Sequence, residues 1–152
     1  MTEHGIRGVK LITQHWLVLR GESSVARAWL KPIWLSLQQD PAKFSKAQEL
    51  KLIQALDQSL TGSDNSDEKE WLIAVESAQI ANPRNALLQY LAGRLCQKRQ
   101  LWGKAQALLS QAAPILQDAN VRRQAWRSLA ELAEQREDLP AALQALKKAS
   151  LD

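Results

Sequence analysis

Side chains with chemistry to offer are few in this chain. Its 152 residues hold one cysteine, Cys96, and two histidines, His4 and His15. A single thiol forms no internal disulfide and no Cys-rich zinc site, and it suits a reducing compartment. Cys96 falls one turn after Gly93 on a helical stretch, where a short side chain packs against the next helix, so inert packing is expected of it. No Ser-His-Asp set, metal-ligand spacing, phosphate-binding loop or paired-carboxylate site stands out. Catalytic, cofactor-binding and metal-binding residues are therefore assigned to none, and the chain reads as not an enzyme. What remains is charge-assisted hydrogen bonding: Arg94, Lys98 and Arg127 carry donors that can hold a carboxylate or an acidic peptide tail.

These cations lie where small residues repeat one spacing. Gly93 is followed by Ala105 and Ala112, and Ala130, Ala142 and Ala149 keep the same intervals. Small side chains let two antiparallel helices approach closely, and larger ones fill the gaps beside them. Trp102 and Leu109 in the first copy answer to Leu139 and Leu146 in the second. Trp126, Leu129 and Ala130 reproduce the W-x2-L-small opening of a tetratricopeptide repeat. The copies are 37 residues apart, against a norm of about 34, and the excess is assigned to Gln117-Asp118-Ala119-Asn120 lengthening the turn between them.

Composition agrees with helices. Leu, Ala, Gln, Glu, Lys and Arg dominate and favour helix, while Gly and Pro number only 6 and 5, too few to punctuate a sheet protein. The expected fold is all-α, an antiparallel helix-hairpin solenoid resembling a tetratricopeptide superhelix. A net charge of +4, mixed with many acids, implies only modest steering of anions and no nucleic-acid partner. No apolar run approaches the roughly 18 to 20 residues of a membrane-spanning helix. The first twenty residues, with Glu3, Arg7, Lys10 and Arg20, are unlike a signal peptide, so the chain is expected to be soluble.

Along the chain, Ile6, Val9, Ile12, Trp16 and Leu19 recur at helical steps over residues 5–20, closed by Gly21, although the unbroken Trp16-Leu17-Val18-Leu19 run also suits a strand. A second helix after Ser23-Ser24 puts Ala26, Trp29 or Leu30, Ile33 and Leu37 on one face, and Pro32 within it predicts a kink or two short helices. A third runs from about Lys46 to Leu60 with Leu50, Ile53, Leu56 and Leu60 as its stripe. The polar tract Thr61 to Asp67 reads as an exposed loop, after which Asp67 can cap a helix to Ala81 that packs through Trp71, Leu72, Val75 and Ala78. Helices at roughly 85–99, 102–116, 122–136 and 139–150 complete the chain. The division is degenerate helical repeats over 1–62, a helix completing a degenerate hairpin over 63–81, and tetratricopeptide repeats over 82–116 and 117–152. Trp71, Trp102 and Trp126 fall at packing positions, whereas Trp16, Trp29 and Trp34 could form an exposed apolar patch.

Residues 82–149 also resemble the carboxy-terminal part of the HemY-type tetratricopeptide proteins, a bacterial family associated with late protohaem biosynthesis. Carrying the likeness are Asn82-Pro83-Arg84-Asn85, Leu88-Gln89-Tyr90-Leu91-Ala92-Gly93, Leu101-Trp102-Gly103-Lys104-Ala105-Gln106 and Trp126-Arg127-Ser128-Leu129-Ala130-Glu131-Leu132-Ala133. The Leu-Trp-Gly-Lys-Ala run is the most specific, and the Trp29–Trp34 segment and the Trp71 helix are similar more weakly. The resemblance implies a soluble piece of a parent anchored in the cytoplasmic membrane, with its repeats on the cytoplasmic side. It implies a scaffold with a protein or peptide partner, such as a porphyrin-pathway enzyme. A general peptide-binding module unrelated to haem, and direct haem or porphyrin binding through His15 beside Trp16, are the alternatives. Gln97 follows Cys96, so the Cys-Pro dipeptide of haem-regulatory motifs is absent.

In a tetratricopeptide stack the first helix of each hairpin lines the concave surface. That implies partner contacts at Leu87, Tyr90, Arg94, Gln97 and Lys98 in the first repeat, and at Gln124, Arg127, Glu131 and Gln135 in the second. The Lys and Asn pattern of a two-carboxylate clamp is absent.

Overall fold

The structure, a computed structural model, describes residues 23–62 and 66–151. Every regular element among these is helical. The chain divides into two compact units, residues 1–68 and 69–152. The helix read over 5–20, His4, His15 and Trp16 lie outside the described residues, as does the middle of the tract 61–67.

In the first unit, α1 (Ser23–Gln39) leads through a 3-10 turn (Pro41–Lys43) into α2 (Lys46–Thr61), and α1 and α2 pack on each other. Of the two alternatives on the face of α1, Leu30 is buried with Ala26, Ile33 and Leu37, while Trp29 is exposed. Trp34 is also buried, so the tryptophans do not make the joint exposed patch that their spacing allowed. Pro32 does not split α1, which continues through it with the proline on the solvent side. There the freed carbonyl can turn to water, and the bulk of the ring meets no neighbouring helix.

α2 begins at a reciprocal cap: Ser45 Oγ accepts from the Gln48 amide at 3.1 Å, and Gln48 Oε1 accepts from the Ser45 amide at 2.9 Å. Two orphan donors of the first turn are thereby satisfied. Ile53, Leu56 and Leu60 are buried as expected, joined by Leu52, while Leu50 is only half-buried. Arg27, 3 % exposed, donates from Nε to Asp67 Oδ2 at 2.8 Å and from Nη1 to the Ser59 carbonyl at 2.9 Å. A buried guanidinium is tolerated only with such partners, so this one charge ties the start of α1 to the end of α2 and the chain beyond it.

The second unit holds α3 (Glu68–Ala81), α4 (Ala86–Lys98), α5 (Trp102–Ala112), α6 (Ala119–Gln135) and α7 (Leu139–Ser150). Trp71, Leu72, Val75 and Ala78 of α3 are buried. Helices α4 and α5 form one tightly packed antiparallel pair and α6 and α7 another, with α6 also touching both α5 and α4. Asn85, Asp118 and Asp138 cap α4, α6 and α7, each accepting from the amide three residues on at 3.0–3.2 Å. α5 stops at Ala112, short of the expected 116, because Pro114 cannot supply the next amide. α6 starts at Ala119, earlier than the expected 122, because Asp118 acts as its cap. The connection between the pairs is therefore 113–118, not the 117–120 stretch the spacing suggested.

Within each pair the turn is the same. Gln100 and Glu137 have φ of 64° and 60°. The next amides, Leu101 and Asp138, both reach back at 2.8 Å, to the Cys96 and Ala133 carbonyls. The Gln100 and Glu137 amides bond to Gln97 and Glu134 at 3.0 Å. This is a Schellman closure, with a left-handed residue satisfying the last carbonyls of the helix. The small residues lie at the helix crossings: Ala105 and Ala112 are fully buried, and Ala130, Ala142 and Ala149 nearly so. A Cβ on Gly93 would stand 2.7 Å from Leu109 Cγ, so no side chain fits between α4 and α5 there.

Candidate functional site

The two helix pairs touch through polar residues of α4 and α6, the first helix of each pair. Steps of three and four residues put Arg94, Gln97 and Lys98 on one side of α4, and Gln124, Arg127, Ser128 and Glu131 on one side of α6. Arg94 Nη1 donates to Ser128 Oγ at 2.9 Å. Ser128, fully buried, also accepts from Gln124 Nε2 at 3.4 Å. One turn further, Gln97 Nε2 donates to Glu131 Oε2 at 2.7 Å, at the exposed rim. Gln97 Oε1 is buried with no hydrogen-bond partner, so this amide still has an acceptor to satisfy.

Of the nine expected contact residues, Gln97 and Glu131 bond to each other across the two helices, and Arg94 and Gln124 meet at Ser128; Lys98 and Arg127 share the helix sides that carry them, and Leu87 is half-buried. Arg127 and Glu131 are exposed, and Arg94, Gln97 and Lys98 are half-buried. Tyr90 is a correction. It is 2 % exposed and belongs to the core of the unit, because an aromatic ring gains more from burial than a surface position allows. Arg94 also bridges the two helices through Ser128, so its guanidinium stabilises their contact. Gln135 stands apart from this face, beside Trp102, Gly103, Gln106, Leu132 and Arg136 in a cleft of about 160 Å³ between α5 and α6.

Ser128 escaped the sequence reading because a serine inside a helix is usually neutral. The available signal was its place four residues after Gln124 and one turn before Glu131, on the polar side of α6. Arg94, Lys98 and Arg127 stand with two carboxylates, Glu131, held by Gln97, and Glu134, three residues further along α6. The face thus offers net positive charge and amide groups, suited to carboxylates and peptide backbone.

Two tryptophans differ from expectation. Trp102 is 39 % exposed at the start of α5, where α4 does not cover it, and Leu139 and Leu146, its counterpart and that of Leu109 in the second pair, are exposed too. Trp126 is half-buried, with Lys148 Nζ 4.5 Å above its ring, a cation–π contact between α6 and α7.

Cys96 is buried and free. Its Sγ lies 3.6 Å from Glu76 Oε1, which also faces Lys104 Nζ at 3.4 Å. Burial first, and then the Glu76 carboxylate, push the thiol up to about 11. It is a neutral packing group at physiological pH, the opposite of an activated nucleophile. Among the described residues no group of three or more His, Cys, Asp or Glu is placed to hold a metal ion, and no helix is long and apolar enough to cross a membrane. No family model matches the chain, and no curated protein matches it.

Proposed function

We propose that this chain is a scaffold of tetratricopeptide type that binds a protein or peptide segment on the α4–α6 polar face. The observation that carries this reading is the repetition of one hairpin design. Two antiparallel pairs, 37 residues apart in sequence, have a left-handed residue at the same turn position, Gln100 and Glu137, and small residues at the same crossing positions, and their first helices meet through Arg94–Ser128 and Gln97–Glu131. Stacking pairs in this way makes a helical solenoid, whose first helices form a continuous binding surface. The face offers donors and positive charge to an acidic or extended segment.

The likeness of residues 82–149 to HemY-type proteins extends the proposal. The partner is then an enzyme of late porphyrin metabolism, and the scaffold brings it to the cytoplasmic membrane where protohaem is made. Lys98→Glu with Arg127→Glu tests the face without Arg94, whose loss would also release Ser128. Arg127 is exposed and Lys98 half-buried, and charges near the surface contribute modestly to stability but steer association. The double variant should stay folded, with at most a small loss of stability, and lose most of its affinity for the partner. Unchanged affinity removes the α4–α6 face from the proposal.

A further inference from the structure

We infer a second binding surface on the side of α6 away from Glu131, and its geometry points to an extended segment of a partner protein that carries a carboxylate two residues from a large apolar side chain. α6 forms the floor of this groove, and α5 and α7, the second helices of the two pairs, form its walls. Two cavities lie along it: the cleft of about 160 Å³ at Trp102, and one of about 130 Å³ at Trp126. Gln106 and Arg136 line both, so the two are continuous. α7 turns Ala141, Gln144 and Lys148 to the groove, so its floor and both walls lie within the described residues.

The first cavity suits an apolar side chain. Leu132 is buried at its base, Trp102 is 39 % exposed, and at Gly103 an added Cβ would meet nothing within 4 Å. A ring laid on Trp102 removes apolar surface of both from water. The second cavity suits a carboxylate: Lys148 Nζ stands 4.5 Å over the Trp126 ring, with Ser110 and Gln144 beside it. Among the described residues lining the two cavities, the charged ones are Arg136 and Lys148, both cations. Arg136 Nη2 lies 3.6 Å from Asp138 Oδ2, a loose and exposed pair, and Glu134 and Glu137 flank it in sequence. These acids would repel a chain of phosphates, which favours a protein segment over a nucleic acid. Along α5 the first cavity is lined from 102 to 106 and the second from 106 to 110. At a rise of about 1.5 Å per residue their centres are about 6 Å apart. Side chains on one side of an extended segment recur every second residue, at about 6.6 Å, so the apolar and acidic groups come from positions two apart. The groove uses no residue of α4 and stands whether or not the α4–α6 face binds a partner.

Two synthetic heptapeptides test this, one with phenylalanine third and glutamate fifth, the other with the two exchanged. Titrated into the isotope-labelled chain, one of them should shift the Trp102 and Trp126 indole signals and the Gln106 side-chain amide. Replacing its glutamate by glutamine, or its phenylalanine by alanine, should raise the Kd at least tenfold. Lys148→Gln should do the same. Gly103→Phe, whose side chain enters open space, should block the first cavity and abolish the shifts while the helical spectrum stays as in the parent. Lys98→Glu with Arg127→Glu should leave this binding unchanged, which separates it from the α4–α6 face. Groove signals unmoved by either peptide up to about 1 mM, where weak specific binding still registers, overturn the inference. So does binding that is indifferent to the glutamate or to Lys148→Gln. An oligothymidylate that binds the groove more tightly than the peptides overturns the protein segment in favour of a nucleic acid.

Discussion

Gly93 and Gly103 sit ten residues apart on neighbouring helices and are glycine for different reasons. At Gly93 an added methyl would meet Leu109 at 2.7 Å, whereas at Gly103 it would meet nothing within 4 Å. Gly93→Ala should therefore lower stability by about 1 to 3 kcal/mol through overpacking, despite the better helix propensity of alanine. Gly103→Ala should raise it by roughly 0.5 kcal/mol, since only propensity changes. Urea titrations of the two variants check the pair. The small-residue register was legible from sequence because spacing alone specifies a close crossing. The burial of Tyr90 and the role of Ser128 were not, because a helix position does not say how far the next helix reaches over it.

Cys96 gives a pH prediction at the same scale. Its folded pKa, about 11, lies above the ordinary thiol value of 9.0. The stability it contributes is complete below about pH 9, where both states hold the proton, and is lost as pH rises toward 11 and the unfolded chain ionises first. Between these values the parent chain should lose stability more steeply than Cys96→Ala. At pH 8 the native thiol should resist iodoacetamide and react fully once unfolded. Fast native alkylation would contradict the buried, neutral thiol.

At the scale of elements, the two hairpin turns use side-chain residues where glycine would be easier. Gln100 and Glu137 hold φ near 60°, which costs a residue with a Cβ about 1 to 2 kcal/mol, partly offset by the greater unfolded-state freedom of glycine. Gln100→Gly and Glu137→Gly should each raise stability by roughly 1 kcal/mol, with additive effects because the turns lie in separate pairs. Denaturant midpoints of the single and double variants measure this. These turns were invisible in the sequence, which lacks the glycine that usually marks them. The ends of α5 and α6 were misplaced for a related reason: Pro114 and Asp118 act locally as stop and cap, and the repeat spacing overrode them. α1 shows the reverse case, since Pro32 suggested a break but falls on the solvent side, where a helix tolerates it.

At the scale of the whole molecule, helical class was readable from composition and periodicity, and the paired helices of residues 82–149 from the repeated small residues. The polar face follows from that pairing, because it exists only where α4 and α6 lie side by side. Its function is the central claim, and site-specific photo-cross-linking in the cell that makes the protein tests it most directly. A photoreactive residue at position 127, on the polar face, is compared with one at position 147, on the solvent side of α7. The account predicts one dominant cross-linked product from position 127, lost when Lys98→Glu is added and identified by mass spectrometry as an enzyme of late porphyrin metabolism. Position 147 should give none of it. Equal products from both positions, or a product from 127 indifferent to Lys98→Glu, would contradict the α4–α6 face as the binding surface.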